Sequence, residues 1–398
     1  MKILFISDVY FPRVNGVSTS IRTFRKELID LGHEVHLIAP DYDDEDKYKE
    51  KWITRISSRK IYFDPEDRLM DYFKVKKLIP WIKKENFDVI HIHTPFVAHY
   101  LGLKISKLVS IPCVETYHTF FEDYLHHYLP FIPEFISRHY ARWISKRQCN
   151  AVNGIISPSQ PMLDILRKYQ INTLAEVIPT GLEEKYFTRH SGEAFRLAQN
   201  IPTTQKVLLF VGRVAHEKNI LFLLRMFKIL LNKHPNTLLL VTGEGPAEND
   251  IRHEIKILGI TNNVKMIEYL DQMDELPACY AAADIFVFSS KSETQGIVLL
   301  EAMAQGTPVV GIAELGTASI LFEGKGSLIA KDDIQHFSDR VAELLSDEEL
   351  YRRMSDEAFK YVKENWSAKD QAKKLSNFYK TVIKHHERSK KEFQLIEI

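Results

Sequence analysis

Short apolar runs alternate with longer segments of helical periodicity along most of the chain. The first run, residues 3–7, precedes an amphipathic segment at 17–31 that Gly32 closes, and a second run follows at 35–39. Strands of a buried parallel sheet consist of continuous apolar residues, and the helices that connect them have one apolar face. The pattern therefore predicts an α/β fold in which parallel sheets are covered by helices on both faces.

The same alternation predicts further strands in each half of the chain. They are residues 89–91, 113–116, 154–157 and 176–178, then 207–211, 237–241, 264–268, 284–288 and 308–311. A polar stretch of little periodicity, 183–204, separates the two sets, and residues 332–391 are helical and charged. We expect two tandem Rossmann-like, doubly wound domains whose ligand crevices lie at the carboxyl ends of the strands and face each other across a cleft. Residues 1–180 form the first domain and 181–375 the second, and a helix at about 376–398 crosses back onto the first.

Composition limits the classes of protein to consider. The 398 residues, 45% of them apolar, are enough to form two hydrophobic cores. The formal net charge is zero, so no overall field attracts nucleic acid, and we expect no such partner. The three cysteines, Cys113, Cys149 and Cys279, are too far apart for a disulfide framework or a zinc site, which favours a reducing compartment. The first apolar run is too short for a signal peptide and no run approaches a membrane span, so we expect a cytoplasmic location.

A polar loop at residues 292–301, S-E-T-Q-G-I-V-L-L-E, follows a predicted strand and begins a predicted helix. Backbone N–H groups at the start of such a helix converge on an anion, and Gly296 lets a ligand approach the backbone. Two carboxylates, Glu293 and Glu301, are ill suited to hold a phosphate but accept hydrogen bonds from the vicinal hydroxyls of a sugar. The loop therefore predicts a site for a sugar joined to a phosphate. The alternative is an ordinary α/β turn with two solvated glutamates.

A second turn, G-R-V-A-H-E-K-N at residues 212–219, also follows a predicted strand. Arg213 and Lys218 can hold a diphosphate there and offset the charge on a departing nucleotide. The alternative is a surface ion pair with Glu217. In the first domain Gly16 lies between a strand and a helix, where its amide could contact the same phosphates. The motif G-x-G-x-x-G does not occur there, so we do not expect a nicotinamide site.

These motifs resemble a known family. The Gly-Arg pair at 212–213 with Lys218, the run at 292–301 and E-A-M-A-Q-G-T-P-V-V at 301–310 are similar to those of the retaining glycosyltransferases of family 4, which have the two-domain GT-B fold. The segments D-V-I-H-I-H-T-P-F at 88–96 and T-Y-H-T-F-F-E-D-Y-L-H-H-Y at 116–128 look most like those of bacterial diacylglycerol glucosyltransferases and related lipid mannosyltransferases. The resemblance spans nearly the whole chain.

The resemblance implies a role for each matching residue. Arg213 and Lys218 would bind the donor diphosphate, Glu293 hydroxyls of the transferred hexose, and Glu301 the ribose diol. Gly16 would contact the distal phosphate, His118 would lie beside the reacting sugar, and the backbone near Leu270 would meet the base. The amides of Thr294, Gln295, Gly296 and Ile297 would contact sugar and phosphate. After Gly311 many relatives have a Gly-Gly turn, whereas this chain has I-A-E-L-G at 312–316, so details of donor binding can differ.

The resemblance also implies retention of anomeric configuration with no obligatory metal or other cofactor, since the nucleotide sugar is a substrate. A retaining transfer can use a carboxylate nucleophile, for which Glu293 is the only obvious candidate. The alternative favoured for the family is a front-face reaction, in which the leaving phosphate oxygen accepts the proton of the acceptor hydroxyl. Arg213 and Lys218 would then act through positioning and positive charge.

Histidines and acidic residues offer few candidates for other chemistry. Among 16 histidines, His118 is the one expected to hydrogen-bond the hexose, because it follows the strand at 113–116. His91 and His93 share a strand but have no evident third partner for a metal. The acidic run at 41–46 is better explained as a solvated loop than as a metal site. We therefore expect no metal site.

Two basic segments that contain tryptophan predict contact with an anionic membrane surface. They are residues 74–84, K-V-K-K-L-I-P-W-I-K-K, and 138–147, R-H-Y-A-R-W-I-S-K-R. Each cation near such a surface contributes about 1 kcal/mol to binding. The expected contact residues are Lys74, Lys76, Lys77, Trp81, Lys83, Lys84, Arg142 and Trp143. The alternative is an ordinary helix that packs on the sheet, but the aromatic residues 120–121 and 124–131 near His118 favour a lipid acceptor.

We therefore expect a peripheral glycosyltransferase on the inner face of the cell membrane, which moves glucose from UDP-glucose to the free hydroxyl of 1,2-diacylglycerol with retention. Two alternatives keep the fold: a GDP-mannose-dependent transferase that acts on a phosphoinositide or glycolipid, and a transferase with a soluble acceptor. A nucleotide-sugar epimerase or sensor would bind the donor without transferring the sugar.

Overall fold

The chain divides into two compact units. The computed structural model describes residues 1–42, 50–60, 68–122, 133–268, 270–271 and 274–396. Unit 1 consists of Met1–Gly181 together with Ala368–Ile398, and unit 2 of Leu182–Ser367. The chain passes from unit 1 to unit 2 after Gly181, beside the expected domain boundary. It returns to unit 1 at Ala368, which lies before residue 376, where the sequence placed the returning helix.

Unit 1 is built on a parallel sheet. Its strands are β1 (Lys2–Ile6), β2 (Glu34–Pro40), β3 (Ile53–Ile56), β4 (Ser58–Lys60), β5 (Arg68–Met70), β6 (Val89–Ile92), β7 (Cys113–Thr116), β8 (Gly154–Ser157) and β9 (Ala175–Val177). Seven of them form a sheet in the order β3-β2-β1-β6-β7-β8-β9, and β4 pairs antiparallel with β5. The neighbours in the large sheet are all parallel, so the loops after β1, β6, β7 and β8 share one edge.

Unit 2 has a second parallel sheet. Its strands are β10 (Lys206–Val211), β11 (Thr237–Thr242), β12 (Val264–Ile267), β13 (Ile285–Phe288), β14 (Val309–Gly311) and β15 (Ser327–Ile329). Their order is β12-β11-β10-β13-β14-β15. The order reverses between β10 and β13, and such a switch point is where open α/β sheets bind ligands at the carboxyl ends of their strands.

Helices connect the strands in both units. They are α1 (Gly16–Asp30), α2 (Tyr72–Lys76), α3 (Ile79–Glu85), α4 (Val97–Val109), α5 (Glu134–Cys149), α6 (Gln160–Lys168), α7 (Glu193–Ala198), α8 (Ile220–Leu230), α9 (Glu248–Ile257), α10 (Glu275–Ala282), α11 (Ile297–Ala304), α12 (Ile334–Ser346), α13 (Glu348–Asn365) and α14 (Ala368–Ile396). Short 3-10 segments occur at Glu184–Phe187, His216–Lys218, Thr261–Asn263 and Leu315–Ser319. The fold is thus α/β and doubly wound in both units, as the sequence predicts.

The last helix, α14, packs on the sheet of unit 1. Ala372, Leu375 and Val382 are buried in the same apolar cluster as the β1 side chains. Gly154 in β8 permits this approach, because a Cβ there would lie 2.8 Å from Val382 Cγ2. Since Ala372 is already buried, the return to unit 1 begins before residue 376, where the sequence placed it.

Two edge strands were missed by sequence analysis. β3 and β15 lie at the ends of their sheets, and both contain polar residues within short segments. Each has a hydrogen-bonded neighbour on one side only, so it lacks the continuous apolar run of a central strand. The sheets are consequently wider than the pattern of apolar runs predicts.

Candidate active site

In unit 2 the loop after β13 leads into α11, as the sequence predicts. Gly296 occupies the N-cap position of α11 with a φ of +92°. Glycine adopts this left-handed conformation without the steric cost that a side chain imposes. A Cβ at this position would also lie 3.2 Å from Leu299 Cδ1. The turn therefore requires glycine, and it places the first amides of α11, from Ile297 onward, at the carboxyl edge of the sheet.

Lys218 and Glu293 form an ion pair at the same edge. The Lys218 ammonium donates to Glu293 Oε1, and each side chain is 19% exposed. Lys218 follows β10 and Glu293 follows β13, which are neighbours in the sheet. The structure thus brings together two of the expected site residues, and it pairs Lys218 with Glu293 rather than with Glu217. The ammonium compensates the charge of the carboxylate beside a set of helix-terminal amides that favour an anion.

Two buried serines hold the backbone on both sides of Lys218. Ser289 Oγ donates to the carbonyl oxygen of Asn219 at 3.0 Å, and Ser290 Oγ donates to that of Glu217 at 3.0 Å. Both serines directly follow β13 and are fully buried. Sequence analysis missed them, although two polar residues at the end of an apolar strand are a visible signal, because buried hydroxyls need partners.

Two glycines after β11 were also missed. A Cβ at Gly243 would lie 2.1 Å from the carbonyl oxygen of Gly212, and one at Gly245 would lie 2.4 Å from that of Val214. Backbone hydrogen bonds of 2.9 to 3.0 Å join the same two segments. The half-buried Arg213 therefore lies on a loop whose backbone is packed directly against a neighbouring loop, which limits how far the backbone at Arg213 can move.

Glu301 lies inside α11 and contacts a tyrosine of α10. Tyr280 Oη donates to Glu301 Oε2 at 2.8 Å, and the two residues are 2% and 7% exposed. Burial and the neighbouring carboxylate raise the pKa of Tyr280 well above its usual value, so the phenol remains a donor. Helical side chains lean toward the amino terminus, which directs Glu301 toward the loop that precedes α11.

The segment after β14, where the chain departs from many relatives, supports the loop of Glu293. Gly316 N donates to the carbonyl oxygen of Glu293 at 2.8 Å. A Cβ at Gly316 would lie 2.2 Å from the carbonyl carbon and oxygen of Thr294. Leu315 has a φ of +52°, a conformation that costs a residue with a side chain about 1–2 kcal/mol, and a capping box that begins at Glu314 closes the turn.

In unit 1 two histidines lie together at the carboxyl edge of the sheet. His118 Nε2 is 3.5 Å from His93 Nδ1, and the rings are stacked with their centroids 5.7 Å apart. Burial lowers the pKa of His118 to about 4 and that of His93 well below its usual value, so both imidazoles are neutral near pH 7. His93 Nε2 is buried and has no hydrogen-bond partner among the described residues.

His91 is not available as a metal ligand. Its Nδ1 is 2.6 Å from Tyr379 Oη and its Nε2 is 2.7 Å from Thr116 Oγ1, so both ring nitrogens are hydrogen-bonded. Within the described ranges of the chain, no group of three or more His, Cys, Asp or Glu side chains could hold a metal ion. Of the acidic run at 41–46, only residues 41 and 42 belong to those ranges.

The roles expected for Gly16, beside the distal phosphate, and for the backbone near Leu270, beside the base, stay predictions. Gly16 is the exposed first residue of α1, whose Asn15 cap accepts a hydrogen bond from Ser18 N at 2.8 Å. A Cβ at Gly16 would meet no atom within 4 Å, so no described contact requires glycine there. Leu270 is buried, and residues 269 and 272–273 beside it lie outside the described part of the chain, as do the aromatic residues 124–131.

The first basic segment turns its tryptophan toward the sheet. Trp81 in α3 is half-buried, with its ring 4.8 Å from that of His36 and 5.7 Å from that of Phe87. Val75 and Ile82 are buried as well. Lys74, Lys77, Lys83 and Lys84 are exposed, and Lys76 is half-buried. Trp81 therefore packs as in an ordinary helix and does not join the lysines at the surface.

The second basic segment has the opposite arrangement. The buried residues of α5 are small or polar, and include Ser137, Ala141 and Ser145. Four of its large apolar side chains are exposed: Phe135 by 74%, Ile136 by 46%, Tyr140 by 51% and Trp143 by 50%. Arg142 shares this surface, although its Nε donates to Glu122 Oε1 at 2.6 Å. None of the helices in the described ranges is both long and apolar enough to cross a bilayer.

Families of known proteins match both halves of the chain. The chain matches the family model described as glycosyl transferases group 1 over residues 192–361, and the one described as glycosyltransferase family 4 over residues 14–186. Alpha-monoglucosyldiacylglycerol synthase of Streptococcus pneumoniae is 34% identical over 315 residues, which cover 78% of this chain and 70% of that protein. The protein of the same name from Acholeplasma laidlawii is 28% identical over 326 residues, which cover 78% and 80%.

Solved structures share the fold. Sucrose-phosphate synthase from Thermosynechococcus elongatus has a TM-score of 0.78 with 19% identity and covers 96% of this chain and 99% of its own. Anabaena HepE in complex with UDP and glucose has a TM-score of 0.78 with 16% identity and covers 96% of this chain and 100% of its own. At this identity the likeness establishes the two-domain GT-B fold.

Proposed function

Because this chain belongs to the family 4 glycosyltransferases, we propose that it transfers glucose from UDP-glucose to the free hydroxyl of 1,2-diacylglycerol, which gives α-monoglucosyldiacylglycerol with retention of configuration. The observation that carries the donor half is the ion pair of Lys218 with Glu293, which joins the loop after β10 to the loop that leads into α11, the helix that contains Glu301. The acceptor half is supported by the two similar proteins named as synthases of that glycolipid and by the apolar surface of α5.

In this proposal each group at the edge of the unit 2 sheet binds one part of the donor. Arg213 and Lys218 bind the diphosphate, and the amides of residues 294–297 contact phosphate and sugar. Glu293 accepts hydrogen bonds from hexose hydroxyls, and Glu301 accepts those of the ribose diol. Once the donor is bound, the Lys218 ammonium must contact the diphosphate as well as the carboxylate of Glu293. That exchange moves positive charge toward the leaving group, where charge develops in the transition state.

The proposed transfer occurs on one face of the sugar. The bond between the hexose C1 and the phosphate oxygen breaks, and its electron pair leaves with UDP. The acceptor oxygen then bonds to C1 from the same side, and its proton passes to an oxygen of the departing phosphate. Glu293 is not required as a nucleophile, because its pairing with Lys218 suits a binding role and lowers its reactivity. The protein supplies position and charge, so neither a metal nor another cofactor takes part.

A direct assay tests the donor and the reaction type. UDP or GDP release is measured with a panel of nucleotide sugars, with and without diacylglycerol in anionic micelles. We expect turnover with UDP-glucose and lipid, unchanged by EDTA. GDP-mannose turnover with a phosphoinositide would favour the mannosyltransferase alternative, and turnover with only a soluble acceptor would remove the lipid. Donor binding without acceptor-dependent release would indicate a sensor or an epimerase.

Two substitutions test the donor site. Lys218→Ala is expected to lower kcat/KM by at least about 100-fold, the effect of removing one group that stabilises charge in a transition state. Glu301→Ala is expected to lower it by a similar factor, because it removes two hydrogen bonds between a charged group and the ribose diol, each worth about 1.5–3 kcal/mol. The matched control is Lys233→Ala, an exposed lysine of unit 2 that pairs with Asp339 at 2.9 Å. Wild-type rates in either site variant, with a wild-type melting temperature, would contradict the assignment.

The lipid half implies a peripheral association with the inner face of the cell membrane. An exposed aromatic group beside cations is suited to an anionic interface, and on α5 Tyr140 stacks on Trp143 while Arg147 lies over the Trp143 ring. The exposed lysines of α2 and α3 add positive charge, whereas Trp81 is left out of this surface because it packs on His36 and Phe87.

Sedimentation with vesicles tests this surface. Wild-type protein is expected to bind phosphatidylglycerol vesicles more tightly than phosphatidylcholine vesicles, and Phe135→Ser with Trp143→Ser to weaken binding at least about tenfold, since burial of an aromatic side chain contributes about 1.5–3 kcal/mol. Leu197→Ser is the control, because Leu197 is an exposed apolar residue of unit 2. Negligible binding of the wild type to both vesicles would remove the membrane from the proposal.

A further inference from the structure

The contact between Tyr280 and Glu301 joins two buried polar side chains on consecutive helices, α10 and α11. Tyr280 Oη lies 2.8 Å from Glu301 Oε2. The backbone of Tyr280 is itself held, because Thr307 Oγ1 donates to its carbonyl oxygen at 2.7 Å. Tyr280 and Thr307 are each 2% exposed. Since the phenol is enclosed and anchored, its bond restricts the direction in which the carboxylate of Glu301 points.

A fixed carboxylate has a particular advantage for binding a vicinal diol. Such a diol donates one O–H to each carboxylate oxygen, which requires the plane of the carboxylate to have a definite orientation. A glutamate that rotated freely would lose that freedom when the ligand binds, and the loss would weaken binding. A carboxylate oxygen has two acceptor sites, so Oε2 can accept from Tyr280 and from a ribose hydroxyl at once.

We propose that Tyr280 is a positioning residue that sets the preference of the donor site for ribose over 2′-deoxyribose by orienting Glu301. This inference rests on the proposed function, in which Glu301 binds the ribose diol. A nucleotide without the 2′-hydroxyl keeps only one of the two hydrogen bonds to Glu301, so an oriented carboxylate discriminates against it. A carboxylate that is held less firmly binds the diol less well but binds a single hydroxyl almost as well as before. Tyr280 therefore increases the difference in affinity between a ribonucleotide and a 2′-deoxyribonucleotide.

Calorimetry with nucleoside diphosphates tests the inference without an acceptor. The affinities of UDP and 2′-deoxy-UDP are measured for the wild type and for Tyr280→Phe, or those of GDP and 2′-deoxy-GDP if guanine binds more tightly. We expect the ratio of the two affinities to fall about tenfold in the variant, as for the loss of one hydrogen bond to a charged group. The fall is expected in the affinity of the ribonucleotide, with that of the deoxynucleotide nearly unchanged. The ratio is independent of the fraction of folded protein.

Two comparisons separate positioning from general damage. Tyr351→Phe removes a hydroxyl from a partly buried tyrosine of unit 2, and the ratio is expected to stay at the wild-type value. In the background of Glu301→Ala, Tyr280→Phe is expected to cause no further change in the ratio, because Tyr280 acts through that carboxylate. If Tyr280→Phe yields no folded protein, Thr307→Val is used, which removes the hydroxyl that holds the Tyr280 backbone and is expected to lower the ratio by a smaller factor.

The outcomes distinguish this inference from the function on which it rests. A wild-type protein that binds neither UDP nor GDP overturns the proposed donor site. A wild-type protein that binds UDP and 2′-deoxy-UDP equally overturns the role of Tyr280, as does an unchanged ratio in Tyr280→Phe. An equal fall of the ratio in the presence and absence of the Glu301 carboxylate also overturns it, because the effect would not pass through Glu301.

Discussion

Gly316 offers a direct test of whether the segment after β14 holds the loop of Glu293 in place. Alanine adds only a Cβ, which would lie 2.2 Å from the carbonyl carbon and oxygen of Thr294 and 2.5 Å from Gln295 N. Ordinary contacts of a Cβ begin near 3.4 Å, so one of the two segments must move by about 1 Å. The atoms in contact belong to the backbone, so no rotation of a side chain relieves the overlap.

The displaced segment carries the proposed sugar-binding groups. A misplacement of about 1 Å in a positioning group can cost about 100-fold in rate, and we expect kcat/KM for UDP-glucose to fall by about that factor in Gly316→Ala. The assay is acceptor-dependent release of UDP, measured together with thermal unfolding. The loss is expected to exceed any change that the lowered melting temperature explains at the assay temperature.

Gly259→Ala is the matched control, because it separates position from stability. Gly259 has a φ of +64° and a Cβ there would meet no atom within 4 Å. Alanine is therefore expected to destabilise the fold by about 1–2 kcal/mol through its backbone alone, and to leave kcat/KM unchanged. Wild-type kcat/KM in Gly316→Ala would refute the reasoning, since the contact would then relax without moving Glu293. Equal activity losses in the two variants would assign the effect to general destabilisation.

Two further predictions concern the serines and the histidines. Ser290→Ala leaves the carbonyl oxygen of Glu217 without its 3.0 Å hydrogen bond and is expected to raise the KM of the donor about fivefold. The control is Ser338→Ala, which is expected to leave this KM unchanged, because Ser338 is a buried serine whose hydroxyl has no partner in the described chain. Burial lowers the folded-state pKa of His118 to about 4, so the unfolded chain binds a proton near pH 6.5 that the folded protein does not. Stability is therefore present above pH 6.5 and is lost as the pH falls toward 4, by up to about 1.4 kcal/mol per pH unit for this histidine. Melting temperatures of wild type and His118→Gln between pH 7.5 and 5 check this, and identical slopes for the two proteins would contradict it.

The central strands and the charged site residues were predictable for simple physical reasons. A strand between two others is buried on both faces, so β10 and β13 are continuous apolar runs in the sequence. Lys218 and Glu293 stand just after such runs, and the carboxyl ends of parallel strands share one edge, so the sequence placed both residues at that edge. The ion pair is possible because β10 and β13 are neighbours in the sheet, and only the structure showed that they are.

Supporting residues were not predictable in the same way. Tyr280 reads in the sequence as one more apolar residue of a helix, and its role becomes visible only because its hydroxyl meets Glu301, 21 residues away. Gly316 reads as a turn residue, yet its φ does not require glycine, and the requirement comes from contact with Thr294 in another loop. In both cases the constraint lies between segments that are distant in sequence, where local patterns carry no information.

The two basic helices show how far composition determines a surface. Both combine lysine or arginine with a tryptophan, and the same expectation was drawn from each. In α3 the ring of Trp81 has aromatic neighbours in His36 and Phe87 and is half-buried. In α5 the side facing the unit is occupied by small residues such as Ala141, which leaves Trp143 exposed. Exposure of several large apolar side chains on one helix costs about 25 cal/mol per Å² of apolar surface, and monomeric proteins rarely retain large patches of this kind unless something covers them. The neighbours of each helix, rather than its composition, therefore decide which apolar side chains remain exposed, and on that ground the proposed membrane contact is assigned to α5 rather than to α3.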